Sequence, residues 1–262
     1  MNTISHILLK QSSNCSLIPF ITAGYPDIET TIKVVKALDA QGADLIELGI
    51  PYSDALADGP VIQNASLVAI KQKVYIDQIL LILNKVCQNI TVPMIIFTYY
   101  NPVLKRGVYR FIEEIAYAGA KGLIIPDLPL EETDDLISIC QEKNIELILF
   151  VAPTSSLKRI DLIMQKSPGC IYLVSSTGVT GLRNSIDNTV MNLAKYIKQT
   201  SNKLIMLGFG ISNPLQVQEI SKWNIDGLVV GTAFVKKLSN CSSDIGMIEL
   251  NNFCKSLKQA ID

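Results

Sequence analysis

Short runs of Ile, Leu and Val alternate along this chain with longer stretches in which apolar residues recur every three or four positions. The runs are LIPFIT (Leu17–Thr22), LIELGI (Leu45–Ile50), PMIIFTYY (Pro93–Tyr100) and GLIIP (Gly122–Pro126). ELILFVAP (Glu146–Pro153), CIYLVSS (Cys170–Ser176), KLIMLGFG (Lys203–Gly210) and GLVVGTA (Gly227–Ala233) follow. They are nearly continuous in apolar residues, the pattern of strands covered on both faces. Asp27–Gln41 and Glu131–Lys143 carry helical spacing, as does YIDQILLILNKVCQNI, and ASLVAIKQ before it predicts an extra short helix between the second and third strands. About eight β-then-α units in 262 residues predict a (β/α)8 barrel, one domain spanning 1–262. A doubly wound sheet would need fewer units.

Composition narrows the chemistry. With 48% hydrophobic residues the chain can bury a sizeable core, and a formal net charge of -1 with no basic run argues against a nucleic-acid or membrane-surface role. No apolar stretch reaches bilayer length, and HILLK near the start is too short for a signal segment, so a compartment entered without a cleaved leader is expected. The six cysteines form no C-x-x-C pair and read as small core residues in a reducing compartment. His6 is the single histidine, which disfavours Ser-His-Asp or Cys-His machinery and histidine-ligated metal. Acid–base work therefore falls to carboxylates, tyrosines or lysines.

Barrel chemistry sits where strands stop. Glu47 lies near the end of the second run, and a carboxylate in an apolar run is costly unless it is paired or used. Strand alternation puts Ile46, Leu48 and Ile50 toward the helices and Leu45, Glu47 and Gly49 toward the barrel axis. Glu47 is thus expected in the barrel mouth, with a raised pKa suited to acting as general acid and then general base. Asp58, in ADGP, and Asp54, in YSDAL, have loop or capping readings on local sequence. GFGIS and VVGTA put small residues on strands seven and eight, where barrels commonly bind phosphate through backbone N–H groups, and Gly181 in GVTGL can add another. SSTGVTGLRNS (Ser175–Ser185) reads as a lid, with Thr180 placed to hydrogen-bond a catalytic carboxylate on closure. Phe20, Tyr99 and Tyr172 lie in strands and can line an apolar aromatic pocket or serve as plain core.

IELGIPYSDALADGPVIQ (Ile46–Gln63) closely resembles the signature of the tryptophan synthase alpha chain family. The resemblance extends through PFITAGYPD, TYYNPVLKRG, PDLPLEE, SSTGVTG, GFGIS and GTAFV, in the family's order from first strand to last. It implies retro-aldol cleavage of indole-3-glycerol phosphate to indole and glyceraldehyde 3-phosphate. By this resemblance Glu47 and Asp58 are the catalytic carboxylates, with Asp58 accepting the indole N–H bond and stabilising the cationic indolenine. Phe20, Tyr99 and Tyr172 match positions around the indole ring and Glu47, and Gly181, Gly210, Gly231 and Thr232 match phosphate-binding positions. Ala55 stands where the family usually has proline, which suggests a looser loop, and Thr232 stands where serine is common.

The resemblance also implies a beta chain that carries pyridoxal phosphate, in an alpha2beta2 heterotetramer, with no cofactor or metal in this chain. Asp54 is the expected partner contact. The Ile-, Lys- and Asn-rich composition suggests an AT-rich genome, so the cytoplasm or a plastid stroma is the expected location. The alternatives are another phosphate-binding barrel lyase or isomerase, which would need a strand-end lysine or metal-ligating histidines, and a catalytically silent subunit that only activates a partner.

Overall fold

Each strand of the computed structural model pairs in parallel with two neighbours, and the sheet closes on itself in the order β1 to β8. The structure describes residues 3–10, 15–174, 188–208 and 210–262. The first half of the barrel contains α1 (Thr3–Lys10), β1 (Ser16–Thr22), α2 (Ile28–Ala40), β2 (Ile46–Gly49), α3 (Pro60–Lys71), α4 (Ile76–Val86), β3 (Met94–Phe97), α5 (Tyr100–Arg106), α6 (Val108–Tyr117) and β4 (Gly122–Ile124). The second half contains α7 (Thr133–Glu142), β5 (Glu146–Val151), α8 (Leu157–Lys166), β6 (Ile171–Val174), α9 (Asn188–Thr200), β7 (Ile205–Gly208), α10 (Pro214–Ile220), β8 (Gly227–Val230), α11 (Thr232–Leu238) and α12 (Asp244–Ile261). This is the (β/α)8 barrel the apolar runs predict.

Most strands are shorter than the runs that announce them, because the next element starts early. The PMIIFTYY run ends as a strand at Phe97: Asp127 accepts the Tyr100 N–H at 2.9 Å, and Tyr100 opens α5. The last run ends at Val230, and Thr232 begins α11. ASLVAIKQ is part of a longer helix, α3, which begins at Pro60, a residue preorganised for a first helical turn. The Asp27–Gln41 segment holds α2 between those two residues as caps, with Asp27 accepting from the Thr30 N–H at 2.7 Å.

The N-terminal end of the barrel is held by three carboxylates. Asp44 accepts from the Leu17 N–H at 2.7 Å and pairs with Lys258 of α12 at 2.8 Å. Asp226 accepts from the Ile205 N–H at 2.7 Å and pairs with Lys198 of α9 at 2.6 Å. Glu146, at the start of β5, is 1% exposed and accepts from the Cys170 N–H at 2.8 Å, the Ser5 N–H at 2.9 Å and the Ser5 hydroxyl. Each joins the entry of one strand to its neighbour and also fastens a helix.

Helix α1 closes that end. A Cβ at Gly122 would lie 3.1 Å from Ile4, and one at Gly227 would lie 3.2 Å from Leu8, so the bare backbone at these strand starts makes room for the helix. Ile4 is fully buried as a result.

Glu146→Ala would leave buried backbone donors at Ser5 and Cys170 without an acceptor, at about 1–3 kcal/mol for each. The expected loss is about 3 kcal/mol, which corresponds to a melting temperature lower by about 6–12 °C for a domain of this size. Thermal and urea unfolding of the variant measure it, and an unchanged midpoint would show that the clamp contributes nothing.

Candidate active site

The opposite end of the barrel carries a cavity with about 360 Å³ of empty space, counting its open mouth. Glu47 enters it from β2, Phe20 from β1, Phe97 from β3 and Tyr172 from β6. Asp58 and Ile62 come from the β2–α3 loop and from α3. Val229, Gly210, Gly231 and Thr232 line it near the ends of β7 and β8.

Strand register explains the first pair. Phe20 lies opposite Glu47, and both belong to the alternate positions facing the barrel axis. The space above Gly49 is filled by the Phe20 ring, whose tip would lie 2.6 Å from a Cβ at that position. Gly49 therefore makes room for part of the pocket wall.

Glu47 is fully buried, and neither carboxyl oxygen has a hydrogen-bond partner among the described residues. Burial, reinforced by the charge of Asp58, pushes its pKa up to about 8. Asp58 is 5% exposed, and burial raises its pKa to about 6 even though a hydrogen bond from Tyr99 acts the other way. Near pH 7 Glu47 is thus mostly protonated and Asp58 mostly ionised. Two carboxyl groups in one cavity, held in opposite protonation states, can act as acid and charge stabiliser.

Other elements brace the pair. The Tyr99 hydroxyl donates to Asp58 Oδ2 at 3.0 Å and accepts from the Ala57 N–H at 3.1 Å. Tyr99 itself is not among the residues lining the cavity. Ala55 is buried, and its carbonyl accepts from the Asp58 N–H at 3.2 Å and from the Gln63 side chain at 3.1 Å. The loop without the proline is fastened by these bonds. Tyr172 stacks on Phe150, with ring centroids 4.7 Å apart and planes inclined by 32°.

Of the sequence-predicted residues, Phe20, Glu47, Asp58, Tyr172, Gly210, Gly231 and Thr232 meet in this one cavity. Asp54 is exposed on the loop that carries Asp58, outside it. Thr180 and Gly181, with the lid they belong to, lie outside the described residues. Ile62, Phe97 and Val229 were not anticipated. Phe97 was accessible to the alternation rule, being two residues before Tyr99 on the same face. Gly210 has φ +89°, a conformation that favours glycine. A Cβ at Gly231 would make only ordinary contacts, 3.6 Å to Phe20 and beyond, so a side chain there would intrude on the cavity rather than on the fold. Among the described residues, no group of three or more His, Cys, Asp or Glu is placed to hold a metal ion, and no helix is long and apolar enough to cross a membrane.

The chain is similar in sequence and in fold to known proteins. Residues 7–262 match the family model described as "Tryptophan synthase alpha chain". A relative of that description from Antithamnion sp. is 63% identical over 260 residues, covering 99% of each chain. Among solved structures, a Mycobacterium tuberculosis tryptophan synthase superimposes with a TM-score of 0.91 at 30% identity, covering 99% of this chain and 98% of that one. A structure from Pyrococcus furiosus, described as the mutual activation of a tryptophan synthase a2b2 complex, gives 0.87 at 32% identity, covering 94% of this chain and 98% of that one.

One glycine of the site is under the tightest steric demand. A Cβ at Gly208 would fall 2.0 Å from the Tyr172 hydroxyl. Gly208→Ala should therefore displace the Tyr172 ring from its stack on Phe150 without unfolding the barrel. A crystal structure of the variant tests this, and an unmoved ring would show that strand β7 yields instead.

Proposed function

The chain belongs to the tryptophan synthase alpha chain family, and we propose that Glu47 and Asp58 carry the family's reaction here. It is a carbon–carbon lyase of tryptophan biosynthesis, cleaving indole-3-glycerol phosphate to indole and glyceraldehyde 3-phosphate. The observation that carries the assignment is Glu47: fully buried, without a hydrogen-bond partner among the described residues, and lining the same cavity as Asp58.

Protonated Glu47 gives its proton to C3 of the indole ring, forming a cationic indolenine. Asp58, ionised, accepts the ring N–H and stabilises that cation. The bond from C3 to the side chain then breaks, and its electron pair returns to the ring to restore indole. The neighbouring side-chain hydroxyl becomes the aldehyde carbonyl as its proton passes to Glu47, which is again an acid for the next turnover. Nothing is oxidised and no net proton is consumed, so one carboxyl group serves both ends of the transfer.

Phe20 and Tyr172 wall the indole ring in this reading, joined by Phe97. The phosphate lies at Gly210, Gly231 and Thr232; Gly181, expected to add an N–H, and Thr180, expected to hydrogen-bond a catalytic carboxylate, lie outside the described residues. The small residues lining the cavity near the ends of β7 and β8 support that placement.

The partner is a beta chain bearing pyridoxal phosphate, in an alpha2beta2 assembly like that named for the Pyrococcus furiosus protein. Asp54 and Leu56 support this: both are exposed on the loop that also carries Asp58, and Leu56 is 81% exposed. A cytoplasmic or plastid-stromal location fits the relative from Antithamnion sp..

Glu47→Gln should keep the fold and lose cleavage by up to about ten-thousand-fold. Near-normal turnover would remove Glu47 from the mechanism. In the unmodified enzyme kcat/KM should follow a bell in pH with limbs near about 6 and about 8. Below the first, Asp58 takes up a proton and stops accepting; above the second, Glu47 has lost the proton it must donate. A pH-rate profile flat across this range would contradict the roles. Gly231→Val should weaken phosphorylated ligands in calorimetry while sparing free indole, and equal weakening of both would indicate general damage.

A further inference from the structure

We propose that Tyr99 is a positioning residue, its hydroxyl holding the Asp58 carboxylate in its working orientation and ionisation, and that the Tyr52 ring stacked on it ties that setting to the outer groove. The proposal rests on the reading of Asp58 as the acceptor of the ring N–H.

The geometry is a chain of contacts leading out of the cavity. Tyr99 is 2% exposed, and its hydroxyl is engaged on both sides, donating to Asp58 at 3.0 Å and accepting from the Ala57 N–H at 3.1 Å. One oxygen thus fixes both the carboxylate and the backbone that carries it. The Tyr99 ring packs edge-on to Phe97, which packs edge-on to Phe20, with centroids 6.2 and 5.6 Å apart. On its other side Tyr52 lies 5.2 Å away with planes inclined by 31°, and the Tyr52 hydroxyl accepts from Asn101 at 3.3 Å. Tyr52 and Asn101 both line a groove on the outer side of the β2–α3 loop, with Asp54 and Arg106. Any displacement of Tyr52 there bears directly on the ring that orients Asp58.

The direction of the electrostatic effect follows from what surrounds Asp58. Glu47 of β2 shares its cavity and feels its charge, as do Tyr172 of β6 and Tyr99 at the start of α5, and the charge of Asp127 also acts on Tyr99. Within this largely apolar setting the Tyr99 hydrogen bond is the contribution that favours the ionised form of Asp58. Burial and the neighbouring carboxylates keep the Tyr99 hydroxyl protonated, so it remains a donor throughout the working pH range.

Tyr99→Phe preserves the ring and removes the bridge. Cleavage of indole-3-glycerol phosphate at neutral pH should fall about ten- to a hundredfold, chiefly in kcat. The acid limb of kcat/KM should move about one pH unit toward neutral, since the variant's Asp58 is easier to protonate. Glycerol phosphate, a probe of the phosphate end alone, should bind unchanged. Tyr52→Leu should move the same limb the same way by less, and Tyr52→Phe, which keeps the stacked ring, should restore it. An acid limb that stays in place in Tyr99→Phe, or an equal loss of glycerol phosphate binding, overturns the proposal. Should Tyr99→Phe fail to fold, the Tyr52→Leu and Tyr52→Phe pair decides alone, and an unmoved limb in Tyr52→Leu overturns it. Asp58→Asn separates the two readings: if it retains cleavage, the assignment of Asp58 fails; if it abolishes cleavage while Tyr99→Phe leaves the limb unmoved, only the proposal about Tyr99 fails.

Discussion

The burial of one carboxyl group is the constraint around which the rest of the site is arranged. An ionised carboxylate with no partner in an apolar interior is so unfavourable that the group keeps its proton instead. Glu47 is in that position, on a strand whose other residues are apolar, with the Phe20 ring beside it in register and Asp58 sharing its cavity. The fold thereby sets a protonation state without supplying a counter-charge. Asp58 is treated differently: it too is buried, but a tyrosine hydroxyl supports its charged form. Burial raises the pKa of both carboxyl groups, the charge of Asp58 raises that of Glu47 further, and a hydrogen bond from a residue far along the chain holds that of Asp58 down.

The two ends of the barrel use acidic residues in opposite ways. At the N-terminal end Asp44, Glu146 and Asp226 each accept from backbone and side-chain donors and fasten α12, α1 and α9 to the strand entries. At the C-terminal end Glu47 has no such partner among the described residues. The carboxylates at the strand entries spend their acceptors on the fold, whereas Glu47 keeps its own available to a substrate.

Much of this was legible in the sequence, for specific reasons. Strands covered on both faces must be apolar throughout, so eight runs announced eight strands. Alternation alone aimed Glu47 at the axis. Strand ends were less legible because distant residues set them: Asp127 ends the third run by capping α5 at Tyr100. Asp58 has a turn-like local setting, and only its likeness to a known signature raised it above its neighbours. The bond between Tyr99 and Asp58 spans 41 residues and that between Glu146 and Ser5 spans 141, and no local pattern encodes either. ELILFVAP showed where a strand begins but not that its first residue anchors the N-terminal helix.

That anchoring has a consequence for the order in which the molecule can be assembled. Helix α1 is the first described element to leave the ribosome, yet its seat is made of parts that come much later. Ile4 rests against Gly122, Ser5 is held by Glu146, and Leu8 packs against Gly227. During vectorial synthesis the opening helix therefore has nowhere complete to dock until more than four-fifths of the sequence has emerged. Helix α1 is thus among the last of the described elements to be sealed in place, and the barrel stays open at that end until its eighth strand arrives.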